Sequence, residues 1–492
     1  MWINPGTWPR VSRWNSARAC RPVIRLGVLL LMLSLVSGCA WRQAERQADF
    51  DTHYGAGDYD LAAMIAARYA GEGYEPQDVN SLLWTLQQAT ALQGQGRHRE
   101  SIELFDTTEA FFRLYDLEGR FSQWLSEAGA LLTNDATQPY RGTVYDAIMV
   151  NTYKALGFMA QGDMANARIE LNRARDRQRR AVEVFSEQIR AEQEALEKRQ
   201  ADNRMADYSG AMASAHDRLA EEYERLSHWS IYPDYVNPLA SWLEGLFLMT
   251  QAQAPGDFSR ASDVLGRVVG MVPDNHWARA DYHWAEDLAD GRRRHRDLPP
   301  TTWVLYESGQ GPVKVEQQIQ LPIGFRYDGT HTIYTGFAYP VLRYRSGAGP
   351  ELQLRSGDDV PRRVQPLSNM DAVISTEFSQ QLPRIVTRAV AASVARTLVQ
   401  YQLQRQFGDL AGFLGLIYQL YSTQADTRIW SSLPKQFDVL RLEHEPGGTV
   451  TLDWAGQARD IALPDSRFVL IWVRQPSAAA TPMIEVIPLS GQ

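Results

Sequence analysis

Basic side chains recur at helical spacing in the C-terminal part of the chain. Arg384, Arg388 and Arg396 lie four and eight residues apart, so one face of a helix would carry all three. Glu307 precedes a glycine-rich turn at residues 308–312. If the segment that carries Glu307 adjoins this helix face, the four side chains line a polar cleft. Such a cleft would bind an anionic ligand, for example a stem peptide of peptidoglycan.

Asp426 and Arg428 form a second candidate pair, two residues apart between a predicted helix and a predicted strand. The planar fork of a guanidinium binds a carboxylate through two hydrogen bonds. Arg428 therefore forms either an internal ion pair with Asp426 or a contact with a carboxylate elsewhere. The internal ion pair is the preferred interpretation, and a ligand site containing both residues is the alternative.

The sequence contains no motif for catalysis or metal binding. Its nine histidines show no His-Glu-x-x-His spacing, and neither a Gly-x-Ser-x-Gly elbow nor a phosphate-binding glycine loop is present. We therefore predict no catalytic residue, no metal ion and no cofactor. A glycosidase can take its two carboxylates from distant positions, so an envelope hydrolase remains open as an alternative.

The N-terminal residues carry the pattern of an export signal. Basic residues precede an apolar run over residues 26–36, which is too short to span a bilayer. The run ends in Leu-Val-Ser-Gly before Cys39, a sequence that resembles a bacterial lipobox. By that resemblance residues 1–38 are a removed signal peptide, Cys39 is acylated, and residues 39–46 form a lipid-anchored tether. The alternative is an ordinary cleaved signal with a chance cysteine.

Alanine rather than aspartate follows Cys39. By analogy with lipoprotein sorting in enteric bacteria, this favours the periplasmic face of the outer membrane. Loss of residues 1–38 removes five of the 50 basic residues and none of the 58 acidic ones, so the net charge changes from −8 to −13. Nucleic acid requires a basic footprint, and we expect no such partner. Cys20 is lost with the signal, which leaves no pair of thiols.

Residues 47–290 show helical periodicity. Four glycine turns are each followed five residues later by alanine or serine, at irregular intervals; they begin at Gly57, Gly96, Gly162 and Gly256. The spacing resembles that of tetratricopeptide repeats and is clearest from Gly256 to Pro273. It predicts an α-solenoid with a concave groove for partner proteins, in which most aromatic residues are core and a few line the groove. A generic helical bundle is the alternative.

A charged insertion over residues 173–229 contains two apolar seams separated by a polar break at 201–204. This pattern predicts an antiparallel helical hairpin. Its charged residues are interpreted mainly as a solvated face, and a docking arm for a partner is the alternative.

The pattern changes to strands and turns after a basic linker at residues 292–296. The linker is interpreted as solvated rather than as an anion site. Residues 301–492 predict an antiparallel β-sheet module, interrupted by helices at about 371–421. The whole chain is therefore predicted to be a multidomain α+β protein.

Several segments together resemble a known family. They are residues 140–156, 303–309, 337–340, 370–378 and 425–434. The last of these, with Ala-Asp-Thr-Arg-Ile-Trp followed by Leu-Pro, is the most specific. The chain is similar to uncharacterised lipoproteins of Gram-negative bacteria with tetratricopeptide-like repeats. This resemblance implies an architecture, a location and an association with other outer-membrane lipoproteins, including ones similar to activators of peptidoglycan synthases. It implies no activity.

The sequence therefore predicts a non-catalytic, lipid-anchored scaffold or adaptor that faces the periplasm. Its partners would be envelope proteins or lipoproteins, held by the groove and the hairpin. The first alternative is a C-terminal module that binds peptidoglycan or polysaccharide. In that case the ligand would be held by Glu307, Arg384, Arg388, Asp426 and Arg428. An envelope hydrolase is the second alternative.

Overall fold

The computed structural model of the protein describes residues 38–70, 80–118, 139–202, 207–228, 237–326, 330–347, 349–357, 360–407 and 424–489. The chain divides into two units, Met1–Arg46 and Gln47–Gln492, and apart from the first residues of helix α1 the fold described below is that of the second. Nearly all of the predicted signal peptide and the predicted helix at 410–421 lie outside the described residues. Within the described ranges, no helix is both long and apolar enough to cross a membrane.

The first half of the described chain is helical. Helix α1 (Gly38–Gly55) includes the residues predicted to form a tether. The helices that follow are α2 (Tyr59–Ala70), α3 (Ser81–Gly94), α4 (His98–Glu118), α5 (Val144–Ala160), α6 (Met164–Asp202), α7 (Tyr208–Arg218), α8 (Ala220–Ser227), α9 (Pro238–Thr250), α10 (Pro255–Met271) and α11 (His276–Ala289). A short 3₁₀ helix, His295–Asp297, follows α11.

Glycine permits the chain to reverse after three of these helices. Gly57, Gly96 and Gly162 have φ angles of 78°, 74° and 77°, in the left-handed region that other residues enter with strain. After the second and third of these turns, α3 packs against α4 and α5 against α6. The fourth predicted turn is different, because Gly256 lies inside the first turn of α10. Pro255 occupies the start of that helix, a position for which its fixed φ is suited.

Within the residues that the structure describes, the second half contains three β-sheets and one long helix. Its strands are β1 (Thr301–Ser308), β2 (Val313–Arg326), β3 (Thr330–Arg343), β4 (Leu352–Ser356), β5 (Arg362–Arg363), β6 (Gln365–Asn369), β7 (Gln436–Glu443), β8 (Thr449–Trp454), β9 (Gln457–Ala462), β10 (Phe468–Gln475) and β11 (Met483–Pro488). Helix α12 (Met370–Phe407) directly follows β6, close to the predicted start of the inserted helices.

The largest sheet is mixed rather than antiparallel. Its five strands follow the order β11-β10-β1-β7-β6, while β2 and β3 form a ribbon and β5-β4-β8-β9 a four-stranded sheet. Strand β1 pairs in parallel with β10 and antiparallel with β7. The prediction of a purely antiparallel sheet is therefore wrong at this pair. A parallel neighbour needs a long crossover connection, which the chain from β2 to β9 supplies.

Both faces of the five-stranded sheet are covered. Along β1, Trp303 and Leu305 belong to the core shared with the helices, whereas Val304 and Tyr306 belong to the core shared with the four-stranded sheet. Successive strand residues point to opposite faces, which explains why every residue of β1 is buried. The molecule thus has three layers, namely helices, a mixed sheet and an antiparallel sheet, and an α+β architecture.

The charged insertion is not a simple two-helix hairpin. Its second arm is divided at Leu219 into α7 and α8. Helix α7 packs against β2 and α12, and α6 also packs against α12. Ala211, Ala215 and Leu219 are buried in the shared core. The apolar seam predicted to face the first arm is therefore covered to a large extent by the sheet region instead.

Close packing of α9 on α10 requires a glycine. A β-carbon added to Gly245 would lie 2.5 Å from Cγ of Leu265. We expect Gly245→Ala to destabilise the protein by about 1–3 kcal/mol through overpacking. Gly256→Ala is the matched control, since no heavy atom lies within 4 Å of its added β-carbon, and it should leave stability unchanged or slightly higher. Urea unfolding measures both; equal midpoints would contradict the close packing.

Candidate functional site

The predicted polar cleft at Glu307 is closed by an ion pair. Glu307 on β1 lies beside Arg474 on β10 in the parallel register of the two strands. Arg474 Nε donates to Glu307 Oε2 over 2.7 Å, and the side chains are 2 % exposed for Arg474 and 1 % for Glu307. Trp472 donates to the other carboxylate oxygen over 2.8 Å. The carboxylate of Glu307 is therefore occupied inside the core, which corrects its prediction as a cleft residue.

Arg474 also joins the sheet to helix α3. Its Nη1 donates to the carbonyl of Thr90 over 2.9 Å, and its Nη2 donates to Oε1 of Gln93 over 3.2 Å. Burial alone would lower the pKa of Arg474, but the adjacent Glu307 carboxylate offsets this and raises the pKa well above its usual value. The guanidinium is therefore charged, and it donates hydrogen bonds both to Glu307 of the sheet and to helix α3.

The arginines predicted to share the cleft lie on α12. Arg384 and Arg388 are half-buried, one helical turn apart, and Arg396 is buried two turns further along. The prediction that one helix carries all three is confirmed. The carboxylate of Glu307 bonds with Arg474, Trp472 and Tyr153, none of which lies on α12.

Asp426 and Arg428 form the internal ion pair that was the preferred interpretation. Arg428 donates through Nε and Nη2 to the two carboxylate oxygens of Asp426 over 2.7 and 2.8 Å. Burial raises the pKa of Asp426, yet the Arg428 guanidinium prevails and holds that pKa below its usual value. Arg428 is 3 % exposed and also donates to Asn80 Oδ1 over 3.3 Å. The two residues are thus bonded to each other, with the Arg428 side chain buried and the Asp426 side chain 34 % exposed.

Residues 425–433, which we call the inner segment, lie against the helices. Residues 424–430 form neither helix nor strand. Trp430 Nε1 donates to Thr90 Oγ1 over 3.0 Å, and its ring centroid is 5.9 Å from that of Phe105 and 6.0 Å from that of Tyr153. The inner segment therefore places a buried tryptophan between α3, α4 and α5.

Ser431 connects the inner segment with both α1 and α3. Its hydroxyl accepts from Gln87 Nε2 over 2.9 Å and is also bonded to Gln47 and Asp51 of α1. The backbone N–H of Ser432 donates to Gln87 Oε1 over 3.2 Å. One glutamine of α3 thus binds two consecutive residues of the inner segment.

Two further ion pairs surround this contact. Arg345 Nη1 lies 3.2 Å from Asp51 Oδ2, and burial raises the pKa of Asp51 and lowers that of Arg345. Lys435 is paired with Asp371 at the start of α12 and donates to the backbone carbonyl of Arg345 over 3.0 Å. These pairs connect α1, the end of β3, α12 and the start of β7.

A separate buried pair connects α11 with the sheet. Asp281 accepts from Arg441 Nη1 over 3.0 Å, from Trp242 over 3.0 Å and from Trp303 over 2.9 Å. The Arg441 guanidinium lies 3.5 Å from the ring centroid of Trp284. Burial raises the pKa of Asp281 despite the adjacent Arg441. This arrangement again joins a helix to a strand through charged groups in the core.

Two buried acids meet the N-terminus of α5. Glu377 of α12 accepts from the backbone N–H groups of Val144 and Tyr145 over 2.9 and 2.8 Å. Asp146 accepts from the Tyr140 hydroxyl over 2.7 Å. Helix N-termini favour such acceptors. Both acids are therefore helix-capping groups, and their burial, at 2 % and 0 % exposed, separates them from any polysaccharide outside.

Burial also sets the protonation of these acids. It raises the pKa of Glu377 from 4.5 to about 8, although the two backbone hydrogen bonds oppose the change. It raises the pKa of Asp146 from 3.8 to about 6, against the hydrogen bonds from Tyr140 and Thr143. Perturbed acids of this kind are common at active sites but also occur in structural networks.

Lys154 is the centre of an acidic cluster at the helices. Its Nζ lies 2.7 Å from both Asp106 and Glu109 and 2.9 Å from Glu170. Arg173 approaches the last two acids at 3.3 and 2.7 Å. The acids therefore serve cationic side chains, and within the described residues no group of three or more ligand side chains is arranged for a metal ion.

The predicted aromatic residues, basic linker and acylated cysteine each have a defined place in the chain. The aromatic residues expected mainly in the core are buried where the structure describes them, namely Phe111, Phe112, Tyr140, Tyr145 and Tyr153; the side chains of Tyr115, Phe121 and Trp124 lie outside the described residues. Arg292 of the basic linker pairs with Glu286, Asp287 and Asp290, consistent with a surface linker. The backbone of Cys39 is helical, and its side chain lies outside the described residues.

Sequence reasoning missed Arg474 and Glu377, a buried pairing residue and a buried capping residue. Arg474 had a signal, since it continues the alternation of Phe468, Leu470 and Trp472 toward one face of β10. A charge in such a series indicates a buried partner. Glu377 had no comparable signal, because the helix that it caps is distant in the chain.

Comparison with known proteins adds no identification. A scan against protein-family models finds no match, and neither the curated proteins nor the solved structures contain a significant match. The family resemblance of the sequence therefore stays a prediction.

Proposed function

We propose that the protein is a lipid-anchored scaffold on the periplasmic face of the outer membrane, which binds envelope proteins or lipoproteins through its helical region. The observation that carries this proposal is the use of the buried charged groups. Glu307–Arg474 and Asp281–Arg441 tie helices to strands, and Lys154 holds α4, α5 and α6 together. Groups that are saturated by internal partners favour a binding role over catalysis.

The helical region supports a tetratricopeptide-like, α-solenoid interpretation in part. Three left-handed glycine turns and the packing of consecutive helices are typical of such repeats. Gly256, which opens the clearest repeat in the sequence, does not form a turn of this kind. The repeats of this protein would therefore be degenerate, with the charged insertion packed onto the sheet region.

The two alternatives lose support from the same geometry. Glu307, Asp426 and Arg428 are three of the five residues proposed to hold peptidoglycan or polysaccharide, the others being Arg384 and Arg388, and each of the three is engaged internally. The acids with strongly raised pKa values, Glu377 and Asp146, cap a buried helix end, where their carboxyl oxygens accept from backbone N–H groups. Neither arrangement favours a glycan site or a hydrolase over a scaffold.

Crosslinking in intact cells followed by affinity purification tests the proposal. We expect the wild-type chain to fractionate with membranes and to recover defined envelope proteins. Cys39→Ser removes the thiol that acylation needs, so the variant should appear in the soluble periplasmic fraction and lose those partners that depend on the membrane. Retention of the variant in membranes would contradict the anchor. Recovery of no envelope protein by the wild-type chain would contradict the scaffold.

A further inference from the structure

The inner segment lies on helix α3 in the manner of a bound peptide. Asn80, Gln87 and Thr90 occupy the start and one face of α3, since spacings of seven and three residues return to neighbouring positions on a helix. Each of the three bonds with the inner segment. Asn80 accepts from Arg428, Gln87 contacts Ser431 and Ser432, and Thr90 accepts from Trp430.

These contacts combine an aromatic anchor with recognition of the backbone. Trp430 is 1 % exposed and packs against Phe105 and Tyr153. Gln87 uses its amide nitrogen on the Ser431 hydroxyl and its amide oxygen on a backbone N–H. A buried aromatic residue supported by a few placed polar groups is the pattern of binding hot spots between separate chains.

The inner segment is attached differently from the neighbouring strands. Its contacts with α1 and α3 are made through side chains, and a backbone bond from Gly311 to Leu433 lies at its end. Strands β1 and β10, in contrast, are paired along their whole length. Residues 428–433 are buried like the central strands, but residues 424–430 belong to no strand, so opening the segment breaks side-chain contacts without breaking a β-ladder.

We propose that residues 425–433 are an internal ligand that closes the inner face of α3 against partners. The contact is autoinhibitory. A partner would replace it with an extended segment of the same chemistry, in which arginine precedes tryptophan by two residues and hydroxyl side chains follow. This inference rests on the proposed scaffold function and names the site and the class of partner segment.

Peptide binding to a weakened full-length variant tests the proposal. Trp430→Ala removes the anchor, and a labelled peptide with the sequence of residues 424–434 supplies it from outside. We expect the variant to bind this peptide at least about tenfold more tightly than the wild-type protein, as measured by fluorescence anisotropy. A peptide with alanine in place of tryptophan should not bind. Absence of binding to a folded variant would overturn the proposal.

Trp454→Ala provides the matched control. Trp454 is also buried, but it belongs to the core between the two sheets, away from α3. Its replacement should weaken the fold without creating a site for the peptide. Equal binding by both variants would show that the peptide recognises loosened protein in general, and would overturn the proposal.

Hydrogen exchange in the wild-type protein decides the question even if Trp430→Ala does not fold. We expect amides in residues 425–433 to exchange through an opening that leaves β1 and β10 protected. Exchange of the inner segment at the same rate as β1 and β10 would identify it as ordinary core. If the exchange result contradicts the internal ligand but crosslinking still recovers partners, the scaffold proposal stands. If the peptide binds but crosslinking recovers no partner, the scaffold proposal is contradicted and the internal ligand stands.

Discussion

Glu307→Ala is expected to destabilise the protein by about 3–5 kcal/mol, because it leaves a buried guanidinium without its counter-charge. Arg474 is 1 % exposed as a residue and its charge is held by the Glu307 carboxylate at 2.7 Å. The remaining bonds of Arg474, to the Thr90 carbonyl and the Gln93 amide, are neutral and do not replace the carboxylate. Urea unfolding, followed by circular dichroism, measures the loss.

Replacement of both partners separates the cost of a broken pair from the value of the intact one. Glu307→Leu combined with Arg474→Met removes both charges at similar volume, and such exchanges are often neutral or stabilising. We expect the double variant to recover most of the stability lost in Glu307→Ala. Glu100→Ala is the surface control, since its pair with Arg97 is half-exposed and should not matter measurably. A Glu307→Ala variant as stable as this control would contradict the buried ion pair.

The sequence predicted the parts of the fold that depend on local patterns. Helices, strands and three of the four glycine turns follow from periodicity and from the conformational freedom of glycine. The pair Asp426–Arg428 was predictable for the same reason, since two residues of spacing bring acid and base together. The misplaced turn at Gly256 also has a local cause, because Pro255 begins a helix one residue earlier.

Features that join distant segments were not predictable from these patterns. Alternation along β10 indicates which face of the strand is buried, but not that β1 lies beside it in parallel register. The partner of Glu307 therefore could not be identified, and the arginines of α12 were assigned to it by their spacing alone. In the same way, an apolar seam on α7 indicates burial without showing that β2 and α12 provide it.

Buried polar contacts decide how the candidate sites are interpreted. A charged residue in the core is expensive unless it is paired and hydrogen-bonded, and Glu307, Asp281 and Asp371 each have a cationic partner. Glu307, Asp426 and Arg428 are therefore held by partners within the same chain. The polar groups of the inner segment are likewise bonded to other parts of the same chain.

The stability contributed by the buried acid Glu377 is expected to fall as the pH rises from about 5 to about 8. Burial raises the pKa of Glu377 from 4.5 to about 8, so across this range the folded state holds a proton that the unfolded chain has lost. Each pH unit then lowers the free energy of unfolding by about 1.4 kcal/mol for one such group. Asp146 and Asp438, both raised to about 6, add to the trend at its lower end. Asp426, whose pKa is lowered, is ionised throughout and does not oppose it. His276, His295 and His444 do oppose it below about pH 6.5, because burial lowers their pKa values and the unfolded chain then binds protons that the folded state does not.

Glu377→Gln tests whether the carboxyl of Glu377 causes this dependence of the free energy of unfolding on pH. The amide cannot ionise, so the dependence of the urea midpoint on pH should become shallower by up to one proton between pH 5 and 8. The amide has a single acceptor oxygen where the carboxyl accepts from both Val144 and Tyr145. The variant should therefore be less stable than wild type at pH 5 by about 1 kcal/mol, and the difference should close or reverse by pH 8.

Glu197→Gln, on the exposed surface of α6, controls for the loss of a carboxylate in general and should keep the wild-type slope. An unchanged slope in Glu377→Gln would mean that Glu377 is already ionised in the folded protein. Its hydrogen bonds would then outweigh its burial, since it accepts from Gln381 as well as from two N–H groups at a helix N-terminus. The pH profile thus distinguishes a buried neutral acid from a charged cap, two states in which α12 holds α5 with different strength.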